Sequence, residues 1–275
     1  MTTRLARKHW YRLRSIWTML AGFDNPSQTI AIFTGRASPG EKTISPRGTG
    51  LTFAVRDAMD VWCLKETLLD RVYERFGFAI EPGWTVLDIG AGIGDFTILA
   101  ARTAPQGHVY AFEPFPESFA LLRQNVDRNR ASNTQLFPTA ATGRPRTLTL
   151  DASSGEPLMV ESIDANAEDA GDGPNIASTT LDEFVNQHGI DRIDLLKLDC
   201  EGAEYDILLN SPAATIACIQ RIAMEYHDHT TPHTHDELVD FLAGAGFRVE
   251  TFPSPVHPEK IGYLRAARES GSRKG

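Results

Sequence analysis

Val86-Leu87-Asp88-Ile89-Gly90-Ala91-Gly92-Ile93-Gly94-Asp95 decides the fold. It begins as a short apolar run of strand type and ends in three glycines spaced two apart. Phe96 to Ala104 follows with helical periodicity. A strand that turns through glycine into a helix presents a fan of backbone N–H groups at the helix start. No Cβ then keeps a ligand away from the main chain. A carboxylate, a ribose or a phosphate fits such a loop, and the rest of the chain must choose between them.

Outward from this stretch, strands and helices alternate. Strands are predicted at His108–Glu113, Thr134–Ala140, Ile193–Asp199, Cys218–His227, Phe247–Phe252 and Ile261–Ala266, with an edge strand at Thr147–Asp151. Helices fall at Glu117–Arg130, Gly202–Asn210 and Leu238–Ala245. Thr180-Leu-Asp-Glu183 and Thr234-His-Asp-Glu237 have the spacing of capping boxes, so each opens a helix. Such alternation predicts a largely parallel sheet covered on both faces, with ligands beyond the carboxyl ends of its strands. The main domain is expected over residues 83–268, after an extension over 1–82 and before a disordered tail at 269–275. The Gly-, Asp- and Ser-rich stretch 152–177 reads as an acidic insertion or mobile flap.

The extension carries its own signals. Residues 4–20 hold Arg4, Arg7, Lys8, Arg12 and Arg14 and no acid, while Trp10, Leu13, Trp17 and Leu20 recur at helical spacing. Two readings stand: a peripheral helix resting on an anionic membrane or a partner, or a terminal helix packed on its own domain. Arg12 and Arg14 interrupt any signal-peptide core. Residues 24–50 read as a linker or edge hairpin with a strand at Thr29–Phe33, and Leu51–Val55 is a second strand. Val61, Leu64, Leu68, Val72 and Phe76 predict one helix from Asp60 to Phe76, lying as a lid across the ligand face. Glu66 and Trp62 could point into that site, although surface and packing roles explain them equally well.

Composition narrows the classes. Of 275 residues, 41% are hydrophobic and 23% charged, which is ordinary for a soluble globular chain. A net charge of −9 argues against nucleic acid as the main partner, because phosphate binding needs a basic footprint. Three cysteines without CxxC spacing suggest neither a disulfide framework nor a zinc knuckle, so a cytoplasmic location is expected. No apolar run approaches the ~18 residues of a membrane span.

Glu113 ends its strand about twenty residues past the glycines, where an acid can accept two hydrogen bonds from a ribose diol. A dinucleotide fingerprint would read GxGxxG; here Gly90, Gly92 and Gly94 give GxGxG. That register suits a ligand presenting an amino-acid end to the loop and a ribose to Glu113, the shape of S-adenosylmethionine (SAM). In Leu195-Leu-Lys-Leu-Asp-Cys-Glu-Gly-Ala-Glu204 a lysine sits inside an otherwise apolar strand. With a period of two, Lys197 and Asp199 share a face, so a buried ion pair between them is expected.

These segments resemble the FkbM family of SAM-dependent methyltransferases. The resemblance rests on Asp88-x-Gly-Ala-Gly-x-Gly94, Phe112-Glu-Pro114, Thr180-Leu-Asp182, Leu196-Lys-x-Asp-x-Glu-Gly-Ala-Glu204 and Glu225-Tyr-His227, in that order. It covers about residues 50 to 252, and the Lys65-Glu66 pair is also similar to the family's first helix. Gly92 stands where that family often has Asn. The resemblance implies a class I methyltransferase fold: a seven-stranded, mostly parallel α/β sheet of order 3-2-1-4-5-7-6 with the last strand antiparallel. It also implies methyl transfer, most often to a hydroxyl of a sugar, polyketide or lipid-linked metabolite.

On that footing SAM is expected along Asp88, Gly90, Ala91, Gly92 and Gly94, with its ribose on Glu113. Its adenine is expected against Pro114, Phe115 and the Thr139–Ala140 strand end. Asp199 would lie near the sulfonium and the acceptor; Glu201, Glu225 and His227 would surround the acceptor hydroxyl, with His227 as base and Lys197 in support. No metal is expected, the alternative being a divalent ion on Asp199, Glu225 and His227. The acceptor is expected to be a small molecule or glycolipid. A nicotinamide oxidoreductase and a catalytically silent SAM-binding protein remain as competing functions.

Overall fold

In the computed structural model the described residues are 2–38, 40–146, 148–151, 158–161 and 175–268. Seven strands build the central sheet: β1 (Thr85–Ile89), β2 (His108–Phe112), β3 (Thr134–Phe137), β4 (Leu195–Leu198), β5 (Arg221–His227), β6 (Phe247–Pro253) and β7 (Ile261–Arg268). Their order across the sheet is β3-β2-β1-β4-β5-β7-β6. β1 to β5 are mutually parallel, and β7 runs antiparallel to both neighbours. This is the arrangement that the resemblance implies.

Strand alternation explains the two cores. Val86, Val109, Leu195 and Ala223 point to one face, while Leu87, Ile89, Leu196, Leu198 and Ile222 point to the other, all essentially fully buried. β1 and β4 lie in the middle and are covered on both faces, so they read as near-continuous apolar runs.

The helices in chain order are α1 (Thr2–Gly22), α2 (Pro26–Phe33), α3 (Ala58–Leu64), α4 (Val72–Arg75), α5 (Asp95–Thr103), α6 (Pro116–Arg128), α7 (Leu181–His188), α8 (Ala203–Asn210), α9 (Ala213–Cys218) and α10 (His235–Gly244). Both predicted capping boxes form, Thr180 with Glu183 and Thr234 with Glu237. Residues of α3, α5 and the extension join the first core; α7, α8 and α10 cover the second.

Four expectations change. Thr29–Phe33 is helical: Pro26 pre-sets the first turn of α2, and Thr29 and Ile32, three apart, bury on one side, overriding the β-branched composition. The strand that forms instead is Lys42–Ile44, paired antiparallel with Phe53–Val55. The single helix over 60–76 is broken. α3 runs into a π turn at Lys65–Leu69, and Arg71 takes a left-handed conformation (φ 54°) before α4. Thr134–Ala140 splits at Pro138, and Ala140–Thr142 pairs with Ser178–Thr180 outside the main sheet. Leu148–Asp151 is likewise no edge of that sheet, but pairs antiparallel with Leu158–Glu161 and Asn175–Ile176. The rest of the acidic insertion, 152–157 and 162–174, and the tail 269–275 lie outside the described residues. Among the described residues no helix is long and apolar enough to cross a membrane.

Candidate active site

The loop after β1 divides labour among its glycines. A Cβ on Gly90 (φ 78°) would stand 1.8 Å from the backbone oxygen of Asp199, so this position lets β1 and β4 close together. A Cβ on Gly92 (φ 54°) would meet nothing within 4 Å; it would fill the open side of the cradle. The N–H groups of Gly90 and Ala91 both donate to Phe112 O, at 3.1 and 2.9 Å, tying the loop to β2 and leaving Ala91 buried. Gly94 caps α5.

Glu113, at the end of β2, is buried beneath this loop. It accepts from Gly92 N at 2.8 Å and from Phe115 N at 2.9 Å. Burial pushes its pKa up to about 7 although both backbone donors pull it down. One protein donor on each carboxylate oxygen leaves acceptor capacity on both, which fits a ribose diol. A shallow cleft of about 410 Å3 lined by Pro114, Phe119, Pro138 and Ile176 opens next to this acid. Pro114 and Ala140 are buried, and Phe115 is half-buried.

Asp88 does not face that space. It is fully buried, accepts from Thr97 Oγ1 at 2.6 Å and pairs with Lys197 Nζ at 3.0 Å. Lys197 stands opposite Asp88 in the parallel β4–β1 register and also donates to Gly90 O at 2.7 Å. The expected Lys197–Asp199 pair is thus replaced by a cross-strand pair, because register brings Asp88 closer than strand alternation brings Asp199. Burial lowers the Lys197 pKa, but Asp88, Asp199 and Asp95 outweigh it and hold the ammonium charged. Asp88 and Lys197 are positioning residues: together they fix the peptide of Gly90.

Asp199 continues β4 into the site, its N–H on Ile89 O at 3.1 Å and its Oδ2 accepting from Tyr73 Oη at 2.5 Å. Tyr73 is buried on α4 and packs edge-on against Phe96. Glu225 lies on β5, half-buried; burial, then the charges of Asp199 and Glu66, push its pKa well up. Glu66 comes from the π turn. It accepts from Tyr11 Oη of α1 at 3.1 Å, and burial pushes its pKa up to about 7 against the pull of Lys65 and Tyr11. Tyr263, with its pKa raised by burial and by the nearby Glu225 and Glu66, faces the same group. Asp199, Glu225 and Glu66 therefore form a cluster of half-buried carboxylates walled by tyrosines, next to the glycine loop.

His227 ends β5 and is buried, its Nδ1 on Glu204 Oε1 at 3.0 Å. Burial lowers its pKa, but the Glu204 bond and the charges of Glu204, Asp199 and Glu201 win and hold it at about 10. A ring that holds its proton this firmly is a poor match to the expected role of base. Glu201 is exposed, with a strained left-handed backbone (φ 53°), and its Oε2 lies 3.5 Å from His227 Nε2.

The metal alternative also changes. Ligand atoms of Asp199, Glu201 and His227 lie within 4.8 Å of one another, and Glu225 is outside that group. Binding an ion there would release the proton that His227 holds, so any affinity of this group for a metal would rise with pH. Of the histidines that follow, His235 pairs with Asp228 at 2.6 Å and His233 with Glu237 at 2.8 Å.

Residues 88–249 match the methyltransferase FkbM domain. The chain belongs to the FkbM methyltransferase family. It is 29% identical over 236 residues to the 31-O-demethyl-FK506 methyltransferase FkbM of Streptomyces tacrolimicus, covering 75% of this chain and 89% of that one. It is 30% identical over 221 residues to the AMB antimetabolite synthetase AmbE of Pseudomonas aeruginosa, covering 67% of this chain but only 10% of AmbE. Among solved structures, M. jannaschii TYW2 in complex with AdoMet superposes with a TM-score of 0.47 at 16% identity, over 84% of this chain and 86% of that one. Membership makes the chain a SAM-dependent methyltransferase and sets aside the nicotinamide reading.

Within this FkbM domain, β1, β2, β4 and β5 carry Gly90 to Gly94, Glu113, Asp199 and Glu225 to one end of the sheet, as expected. Reading the sequence missed Tyr73, Tyr263, Glu204 and Tyr11, and gave Glu66 no definite role. Glu204 carried a signal, as the final acid of the Leu196–Glu204 segment. The aromatic residues carried none, because their approach depends on the π turn and on how α1 lies.

Proposed function

We propose that this FkbM-family enzyme methylates a hydroxyl oxygen of a sugar, polyketide or lipid-linked small molecule. The carboxylate cluster of Asp199, Glu225 and Glu66 beside the glycine loop carries the reading. Hydrogen-bond acceptors dominate there, and the nearby cations are engaged elsewhere: Lys65 with Asp70 at 2.6 Å, Lys197 with Asp88 and His227 with Glu204. Such a surface suits a ligand rich in hydroxyl donors and repels an anion. The net charge of −9 disfavours nucleic acid as acceptor.

In this reading Gly92, Glu113 and the Pro114 cleft hold SAM, which supplies an electrophilic methyl group on a sulfonium. Asp199, fixed by Tyr73, orients the acceptor hydroxyl beside it. Glu66 takes the hydroxyl proton as the oxygen is alkylated; a carboxyl pushed up to about 7 is well matched to that task, and Glu225 helps hold the acceptor. Protonated His227 stays as a fixed cation between Glu204 and Glu201, and no metal takes part.

The test is methyl transfer from labelled SAM to a panel of neutral glycosides, polyketide alcohols and polyprenol-linked sugars, with the methylated atom located by NMR. Methyl on nitrogen or carbon, SAM binding without turnover on any acceptor, or turnover abolished by EDTA would each defeat the proposal.

A further inference from the structure

α1 has two faces that do different work. On the inner side Ser15 and Met19 are buried, and Tyr11 donates to Glu66 and accepts from Lys65 Nζ at 3.1 Å. Lys65 lies against the rings of Tyr11 and Trp62 and pairs with Asp70, so this side is locked to the π turn. On the outer side Trp10, Leu13, Ile16 and Trp17 are 65%, 63%, 49% and 73% exposed. They recur at steps of three and four, one continuous stripe of a helix held rigidly from behind. The helix does pack on its own domain, as one of the two readings has it, but through Tyr11, Ser15 and Met19, which leaves the tryptophan face outside.

The charge of this segment selects an occupant. In sequence the segment carries Arg4, Arg7, Lys8, Arg12 and Arg14 without one acid, in a chain whose net charge is −9, and Arg14 is exposed. Had the stripe been an ordinary contact with another acidic copy of this chain, only the apolar residues would be needed. An exposed tryptophan stripe in a basic, acid-free segment matches the boundary of an anionic bilayer, where indole rings sit at headgroup depth and cations meet lipid phosphates.

We infer that the outer face of α1 seats on an anionic lipid surface, while its inner face, through Tyr11 and Glu66, walls the acceptor side of the active site. One helix then links the bilayer to the carboxylate cluster, and the acceptor arrives as the head of a lipid-linked molecule. This deepens the methyltransferase reading and rests on it for the acceptor; the membrane contact is testable without turnover.

The experiment is vesicle flotation of the full chain with phosphatidylcholine alone and with about one third phosphatidylglycerol. The expected result is roughly tenfold or more binding to the anionic vesicles, falling at high salt as the Debye length shrinks. The variant W10S/W17S should lose that binding yet keep the thermal shift produced by S-adenosylhomocysteine (SAH), which shows that it folds. Absence of flotation, equal binding to neutral vesicles, or a concentration-dependent dimer dissolved by W10S/W17S would overturn the inference. Flotation with no methyl transfer to any acceptor would leave the membrane contact standing and defeat the enzymatic reading instead.

Discussion

Alanine at Gly90 and at Gly92 should have opposite consequences, although the two glycines stand two residues apart in one loop. At Gly90 the added Cβ would lie 1.8 Å from Asp199 O, where ordinary contact begins at 3.4 Å. Its left-handed backbone (φ 78°) adds a further penalty. The conformational part costs about 1–2 kcal/mol. Displacing the β4 backbone costs about 1–3 kcal/mol more, as in overpacked cores. Gly90→Ala is therefore expected to lose about 2–5 kcal/mol of stability, a large part of a typical domain's total. At Gly92 (φ 54°) nothing lies within 4 Å, so only the conformational part applies, and the cost is about 1–2 kcal/mol. The new methyl would instead occupy the cradle and weaken SAH about 5- to 150-fold, the equivalent of about 1–3 kcal/mol of overpacking. Urea unfolding of the free proteins and calorimetric titration with SAH measure the two quantities. If Gly90→Ala is no less stable than Gly92→Ala, the close approach of β1 and β4 at Gly90 is wrong; if Gly92→Ala binds SAH like the parent, the placement of the cofactor on this loop is wrong.

Other outcomes follow from the charges. Glu66→Gln should leave SAH affinity within a few-fold, while the removed base lowers kcat/KM by about 100-fold or more, read by methyl transfer. With Glu66 tuned to about 7, kcat/KM should rise with pH through that value, and Glu66→Gln should remove this limb of the profile. Lys197→Met strands the fully buried Asp88 and should cost about 3–5 kcal/mol in urea unfolding. Adding Asp88→Asn should recover much of that loss. His227 has a folded pKa of about 10, above its ordinary 6.5, so its contribution to stability is complete below 6.5 and lost as pH rises towards 10. The stability gap between the parent and His227→Gln should accordingly narrow across that interval.

The strand-to-helix order and the cofactor end of the site were legible because they depend on local pattern. Alternating apolar residues fix which side of β1 and β4 faces which core. Glycine spacing fixes where a ligand meets main chain, and a strand-end acid follows at a set distance. The sequence alone therefore determined a parallel sheet, its capped helices, the positions of Gly90, Gly92, Glu113 and Asp199 at its carboxyl end, and the resemblance that implied a methyltransferase.

Only the tertiary structure decided the partners. Whether Lys197 meets Asp88 or Asp199 depends on cross-strand register, which no single strand encodes. The state of His227 depends on Glu204, which reaches it from the first turn of α8 and turns an apparent base into a held cation. Glu66 enters the site through a π turn, where one extra residue rotates the side chains that follow it. The same holds for α1: periodicity announced an aromatic stripe, but which face stays outside depends on the Tyr11 contacts with Glu66 and Lys65, more than fifty positions away in the chain. Short-range periodicity carries the backbone; long-range electrostatics and packing choose which acids stay charged and which surface stays bare.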